Sequence, residues 1–295
     1  MSRIVVLGVG GMLGHKVLQR LSVGHEVIGT LRRSKSADPY RRISFLQTDR
    51  VFDGIDAADF DGVAGLLERI RPDVVVNCVG VIKQRAAATS PVPSITINSL
   101  LPHVLADRCE ALGARLIHFS TDCVFNGRRG GYAEDDVGDA EDLYGRTKYL
   151  GEVAGRSGAL TLRTSIVGRE LAHFQSLVEW FLAQEGRTVG GYRKAKYSGV
   201  TTGAMAGIVE RLVTEHPGLA GLYQVAGPWT DKFDLLHLVR DAFGVAVEIV
   251  PDDAVVVDRT LRGDRFREAT GITVPSWKEM LEEMAVDPTP YEEWR

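Results

Sequence analysis

The sequence has few cysteines, no long apolar run and no large excess of one charge. Cys78, Cys109 and Cys123 are the only cysteines among 295 residues. They show neither C-x-x-C spacing nor a neighbouring histidine cluster, so neither a zinc site nor a disulfide framework is indicated, and no metal is expected. Cys78 follows an apolar run and reads as a buried thiol. No apolar stretch approaches the ~20 residues of a membrane span. The N-terminal run "RIVVLGVGG" is too short for a signal peptide and is interrupted by glycines. The net charge of −4 is spread over both signs, which gives no nucleic-acid or membrane signature. Basic clusters at Arg32-Arg33, Arg128-Arg129 and Arg193 to Lys196 read first as solvated surface. The expectation is a reduced, cytoplasmic protein with no nucleic-acid or membrane partner.

The chain is 44% hydrophobic and long enough for one large α/β domain, or for a domain with a smaller lobe. Over the first 120 residues short apolar runs alternate with helical patterns. Residues 3–8, 25–31, 73–80, 114–120 and 158–168 read as strands, and "MLGHKVLQRLS", "FDGVAGLLERI" and "SLLPHVLADRCEALG" as helices. Near-continuous Val/Ile runs separated by helices imply a parallel sheet buried on both faces. The fold class is therefore α/β, a Rossmann-type doubly wound parallel sheet with a smaller α+β substrate-binding lobe near the C-terminus. Residues 1–168 are assigned to the sheet-forming domain, with about 203–227 returning to it. About 169–202 and 228–295 form the lobe. Residues 187–203 read as a loop, Trp180 and Trp277 as packing residues, and the end of the chain as a polar tail.

"GVGGMLGH" (8–15) lies between the first strand and a helix, where a dinucleotide fold makes its phosphate turn. Glycines allow positive φ and close backbone approach, so amide N–H groups at the helix start can face a pyrophosphate. Gly8, Gly11 and Gly14 fit a G-x-x-G-x-x-G register, with Gly10, Met12 and Leu13 between them and Leu13 expected to pack inward. The second strand ends in Thr30-Leu31-Arg32-Arg33 rather than an acid. Arginine cannot accept from a ribose 2′-hydroxyl, but its fork can hold a 2′-phosphate. This favours NADP(H), with NAD(H) the alternative.

A second constellation lies downstream. "STDC" (120–123) ends the 114–120 strand and "YGRTK" (144–148) follows it, with Tyr144 and Lys148 one helical turn apart. Free tyrosine, with a pKa near ~10, is a poor acid–base group at neutral pH. A nearby ammonium stabilises its phenolate, and a hydroxyl can complete a hydrogen-bond relay. The ammonium can also bond the nicotinamide ribose.

With these residues in place the chain resembles the extended short-chain dehydrogenase/reductases, and within them the dTDP-4-dehydrorhamnose reductase group. The likeness is carried by "GVGGMLG" (8–14), "IDAAD" (55–59), "RPDVVVNCVG" (71–80), residues 97–127, "YGRTKYLGE" (144–152), "LRTSIVG" (162–168) and "YQVAG" (223–227). It implies an NAD(P)-dependent oxidoreductase acting on a keto group. Thr121, Tyr144 and Lys148 would form the catalytic triad, beside Asp122. Asp56 would lie near the adenine, Asn77, Cys78 and Val79 would line the nicotinamide side, and Asn98 would support the site.

Four departures mark a sub-branch with a different sugar nucleotide, one of them the extra residues around 44–54. Cys123 stands where the family has tyrosine. "VGVIKQ" (79–84) brings Lys83 and Gln84 toward the site. "KYSGVTT" (196–202) replaces a G-S-P-T-type loop. Lys83, Cys123, Arg193, Lys196, Tyr197, Thr201 and Arg259 are the substrate-side candidates. The implied activity is NADPH-dependent reduction of a 4-keto-6-deoxy sugar nucleotide, dTDP- or UDP-linked, in deoxysugar or surface-polysaccharide synthesis. The resemblance allows a homodimer. The alternatives are a sugar-nucleotide epimerase, a bifunctional epimerase–reductase, or a non-catalytic regulatory subunit like that of methionine adenosyltransferase.

Overall fold

The computed structural model describes residues 1–82 and 90–294. Six strands, β1 (Arg3–Leu7), β2 (Glu26–Thr30), β3 (Val51–Phe52), β4 (Val74–Asn77), β5 (Arg115–Phe119) and β6 (Ala159–Arg163), join a seventh at Gly221–Gln224 in one sheet. Counted from the β3 edge the order is 3-2-1-4-5-6 followed by Gly221–Gln224, and every neighbouring pair is parallel. This is the doubly wound arrangement, whose ligand crevice lies at the carboxyl ends of the strands where the order reverses, between β1 and β4.

The strand sequences explain their place. β1, β4, β5 and β6 are buried along nearly their whole length, and alternate residues face two separate apolar clusters. Ile4 and Val6 pack on one side, Val5 and Leu7 on the other. Burying both faces is why these runs read as continuous rather than alternating.

Helices α1 (Gly14–Leu21) and α2 (Phe60–Ile70) cover the sheet, α2 being capped by Asp59. A helical segment then runs from α3 (Pro91–Ser94) through a π-turn (Ile95–Leu100) into α4 (Leu101–Leu112), and α5 (Leu143–Leu150) packs against the π-turn. No helix among the described residues is long and apolar enough to cross a membrane.

Residues 187–203 are not a loop. They form strands Thr188–Tyr192, Ala195–Tyr197 and Val200–Thr201. Ala195–Tyr197 is the middle strand of a three-stranded sheet, flanked by Thr230–Asp231 and Val257–Asp258. Trp180 is 40% exposed, so in its helix Val178 and Phe181 do the packing instead. Trp277 is buried as expected and donates its indole N–H to the Pro228 carbonyl, 2.8 Å away. The end of the chain is not simply polar, because Tyr291 and Trp294 are buried.

Candidate active site

The glycine turn follows β1. Gly8 has φ of +84°, donates its N–H to Thr30 Oγ1 (3.2 Å), and its carbonyl accepts from Gly11 N–H (3.0 Å). A Cβ at Gly14 would collide with the Gly8 backbone carbonyl, which cannot yield. A Cβ at Gly10 would meet only side-chain ends, Tyr40 Oη at 2.8 Å and Leu31 Cδ2 at 2.9 Å. Backbone packing therefore sets the Gly8, Gly11, Gly14 register, and Gly10 is auxiliary to it. Leu13 is buried, as that register requires, and Met12 is half-buried at the turn.

Around the turn, Arg32 and Arg33 are exposed just past β2 and take no ion-pair partner among the described residues. The nearby Asp53 is committed elsewhere. It accepts from Lys35 N–H (2.7 Å) and Ser34 Oγ (3.0 Å), bonds that hold its carboxyl below the usual range. Asp56 is exposed and accepts from Ala58 N–H at 3.0 Å. Asn77 is buried at the end of β4, where it accepts from Val79 N–H and its amide meets His118 Nδ1, both at 3.1 Å. Val79 lies against Gly8, and Cys78 is half-buried with its thiol pushed up by burial.

Of the three candidate catalytic residues, Thr121 follows β5 and Tyr144 and Lys148 lie on α5. Thr121 Oγ1 donates to Asp122 Oδ1 and accepts from Cys123 N–H, both at 3.1 Å. α5 begins at the Asp142 cap, which accepts from Gly145 N–H at 2.7 Å. A Cβ at Gly145 would strike the Cys123 carbonyl, so only glycine lets the first turn of α5 lie against Thr121–Cys123. That contact brings Tyr144 within hydrogen-bonding influence of Thr121. One turn on, buried Lys148 donates to the Phe119 carbonyl at 2.6 Å. Burial lowers Lys148 to about 8, against the raising effect of Glu152. Burial pushes the Tyr144 phenol up, helped by the nearby Cys123, while its bond with Thr121 acts the other way. Burial also raises Asp122, and the Arg259 charge opposes that rise.

Several supports were not legible in the sequence. Under the triad, Glu152 accepts from Ser120 Oγ (2.7 Å) and pairs with both Nε and Nη2 of Arg163 (2.8 Å each). The Arg163 guanidinium lies over the Phe125 ring at 5.2 Å. Asn98, expected in support, does sit behind the site on the π-turn. It bonds Val81 N–H (2.9 Å), Val81 O (3.0 Å) and Thr147 Oγ1 (3.3 Å), tying the loop after β4 to α5. The glycine in Y-G-x-x-K was a signal for Gly145, but its meaning needs the Cys123 carbonyl.

The substrate-side candidates divide. Arg259 follows Val257–Asp258, donates to the Phe125 carbonyl (2.9 Å) and bears on both Asp122 and Cys123. Tyr197 lies beside it in the same small sheet, edge-on to Trp277 at 5.8 Å. Its buried hydroxyl has no hydrogen-bond partner among the described residues, and burial, then Asp122, pushes the phenol up. Cys123 is half-buried beside Tyr144. The Lys196 ammonium lies 4.9 Å from the ring centre of the exposed Trp229. Arg193 is instead engaged on the surface by Asp253 through bonds of 2.9 and 2.7 Å. Thr201 is not a free hydroxyl, because it is buried and caps the Thr202–Thr214 helix by accepting from Ala204 N–H. Lys83 and Gln84 lie outside the described residues.

The dTDP-4-dehydrorhamnose reductase of Mycolicibacterium smegmatis is 28% identical over 301 residues, covering 95% of this chain and 84% of its own. The methionine adenosyltransferase 2 subunit beta of Rattus norvegicus is 28% identical over 174 residues, covering 57% of this chain and 48% of its own. The solved structure of dTDP-4-dehydrorhamnose reductase from Bacillus anthracis in complex with NADP superposes with a TM-score of 0.80 at 21% identity, covering 98% of this chain and 100% of that one. The family model described as the RmlD substrate binding domain matches residues 2–186. That match spans the glycine turn, the S-T-D-C run and the Tyr144–Lys148 helix, and the chain belongs to this family.

Proposed function

We propose that the protein is an NADPH-dependent reductase of a 4-keto-6-deoxy sugar nucleotide, working in the cytoplasm in deoxysugar or surface-polysaccharide synthesis. The observation that carries this reading is the convergence on Asp122. Thr121 bonds it from just past β5, Tyr144 lies close enough to Thr121 to feel its hydroxyl, the Arg259 charge acts on Asp122, and Asp122 in turn acts on Tyr197.

The residues fit a dinucleotide. The turn is closed by backbone contacts that leave no room for a Cβ at Gly14, and its amides sit at the start of α1, where an anion is favoured. Arg32 and Arg33 stand just past β2 with no ion-pair partner among the described residues, suited to a 2′-phosphate, and this is the argument for NADP(H) over NAD(H). Bound there, the cofactor supplies a hydride for the C4 carbonyl carbon.

This chain's residues manage the oxygen. Tyr144, kept protonated by its buried setting, donates its proton to the alkoxide developing at C4. Thr121 turns its one hydroxyl hydrogen from Asp122 to the same oxygen, and the positive Lys148 draws the phenolic charge and holds the ribose. Lys148 titrates at about 8, so this help fades as pH rises past that value. Fixed donors in a site that excludes water stabilise the alkoxide without having to reorganise. Arg259 and the Tyr197 hydroxyl, which has no hydrogen-bond partner among the described residues, take the nucleotide-sugar side. Whether the nucleotide is dTDP or UDP is decided by the substrate panel below.

The test is Tyr144→Phe with a panel of dTDP- and UDP-linked 4-keto sugars. Loss of the proton donor lowers turnover by roughly 10²–10⁴-fold while the fold is kept. Turnover near that of the wild type would overturn the assignment.

A further inference from the structure

The glycine turn is held from behind by a stretch of chain for which the proposed function has no use. His15, the second residue of α1, is fully buried. Its Nδ1 lies 2.9 Å from the Gly11 carbonyl and its Nε2 lies 2.7 Å from Tyr291 Oη. The carbonyl can only accept, so Nδ1 carries the proton, Nε2 is the acceptor, and the Tyr291 hydroxyl donates to it. The ring faces meet edge-on at 5.7 Å.

Two further contacts extend this one. Lys16 pairs with Asp287 at 2.6 Å and Gln19 Nε2 donates to Thr289 Oγ1 at 3.1 Å. Alternate residues 287, 289 and 291 thus meet neighbouring positions on α1. The same stretch ends on Trp294, which packs edge-on against Phe45 at 6.2 Å. Phe45 belongs to the loop that carries Tyr40, and Tyr40 is the residue a Cβ at Gly10 would touch. Glycine turn, α1, C-terminal stretch and the 40–46 loop form a closed circuit.

The Gly11 carbonyl is more than an anchor point. It shares one planar trans peptide with the Met12 N–H, and the two groups point in opposite directions. Pulling the carbonyl toward His15 therefore aims the Met12 N–H outward, the direction from which an anion meets a helix start.

We infer that residues 287–294 are a brace belonging to the cofactor site, with Tyr291 and His15 as positioning residues that set the glycine turn for dinucleotide binding without taking part in the chemical step. This rests on the reading of the turn as the NADP(H) site. The experiment measures NADPH affinity by titration, with KM for NADPH, kcat and Tm, for the wild type, Tyr291→Phe, His15→Ala and His15→Asn.

Tyr291→Phe removes one oxygen and keeps the packing. It weakens NADPH binding and raises KM by about 3- to 10-fold, the value of one buried hydrogen bond, with kcat within about two-fold. His15→Ala weakens binding by at least as much. His15→Asn keeps an N–H in reach of the Gly11 carbonyl and restores part of the loss. Wild-type affinity in both Tyr291→Phe and His15→Ala, with only Tm lowered, overturns the inference and leaves the brace a packing element. Should His15→Ala fail to fold, Tyr291→Phe alone decides. Failure of the wild type to bind either NADPH or NADH overturns the reading of the turn itself, and the inference with it.

Discussion

Two sets of polar groups, one past the end of β5 and one behind the glycine turn, are assembled differently. The Thr121–Tyr144–Lys148 set comes from one short stretch of chain, and its members are held by a strand end and the helix that follows. The His15–Tyr291 set joins residues 276 positions apart. The first set uses the geometry of a single helix, so its spacing is visible as a motif. The second depends on where a distant segment comes to rest, so nothing local announces it. Motifs mark groups that share an element, while the supports of a site are free to come from anywhere in the chain.

The largest expected effect tests the foundation of the first set. Glu152→Ala leaves Arg163 charged and 2% exposed, and breaking such a buried pair costs about 3–5 kcal/mol. Denaturant unfolding checks this, and a loss under about 1 kcal/mol would show the triad standing without that support.

The second set is tested through pH. Burial drives His15 down to about 4 from the ordinary 6.5, with the neighbouring Lys16 lowering it and Asp287 raising it. Between those values the unfolded chain binds a proton that the folded chain refuses. Stability is therefore full above pH 6.5 and falls as pH drops toward 4, by about 3 kcal/mol in all. Tm measured between pH 7 and 4.5 shows the decline, and in His15→Asn, which does not titrate, this share of it is missing. Parallel curves for the two proteins would place the acid sensitivity elsewhere.

The smallest effect probes the close approach behind the first set. Gly145→Ala forces α5 away from the Cys123 carbonyl, at a cost of about 1–3 kcal/mol, and moves Tyr144 off Thr121. Turnover falls more than NADPH affinity. An equal fall in both would mean that α5 positions the cofactor as much as the proton donor.

How far the molecule could be read from its sequence follows the same division. The parallel sheet was legible because β1, β4, β5 and β6 are buried on both faces and carry unbroken apolar runs. The shared helix face of Tyr144 and Lys148 was legible because a four-residue spacing on a helix is fixed geometry. The strands within 187–203 were not, because Thr188–Tyr192 buries only Val189 and Gly191 on its inner face, and a glycine leaves no apolar signal. Its partner, Glu248–Asp252, lies some 60 residues on. Trp180 misled because a helical stripe gives the period of burial without its phase. Tyr291 and Trp294 were hidden among Asp, Thr, Pro and Glu, where two aromatics form no pattern. Thr201 was read as a hydroxyl available to substrate because a helix cap and a ligand contact call for the same residue type.

The span between His15 and Tyr291 also has a consequence in time. A ribosome adds about 5–20 residues per second, so tens of seconds separate the making of the turn from the making of Tyr291. Strands β1 to β6 are all made before Tyr291, and until Tyr291 is made it cannot donate to the His15 Nε2. The nascent chain therefore carries six strands of its sheet before the residue that braces its first turn.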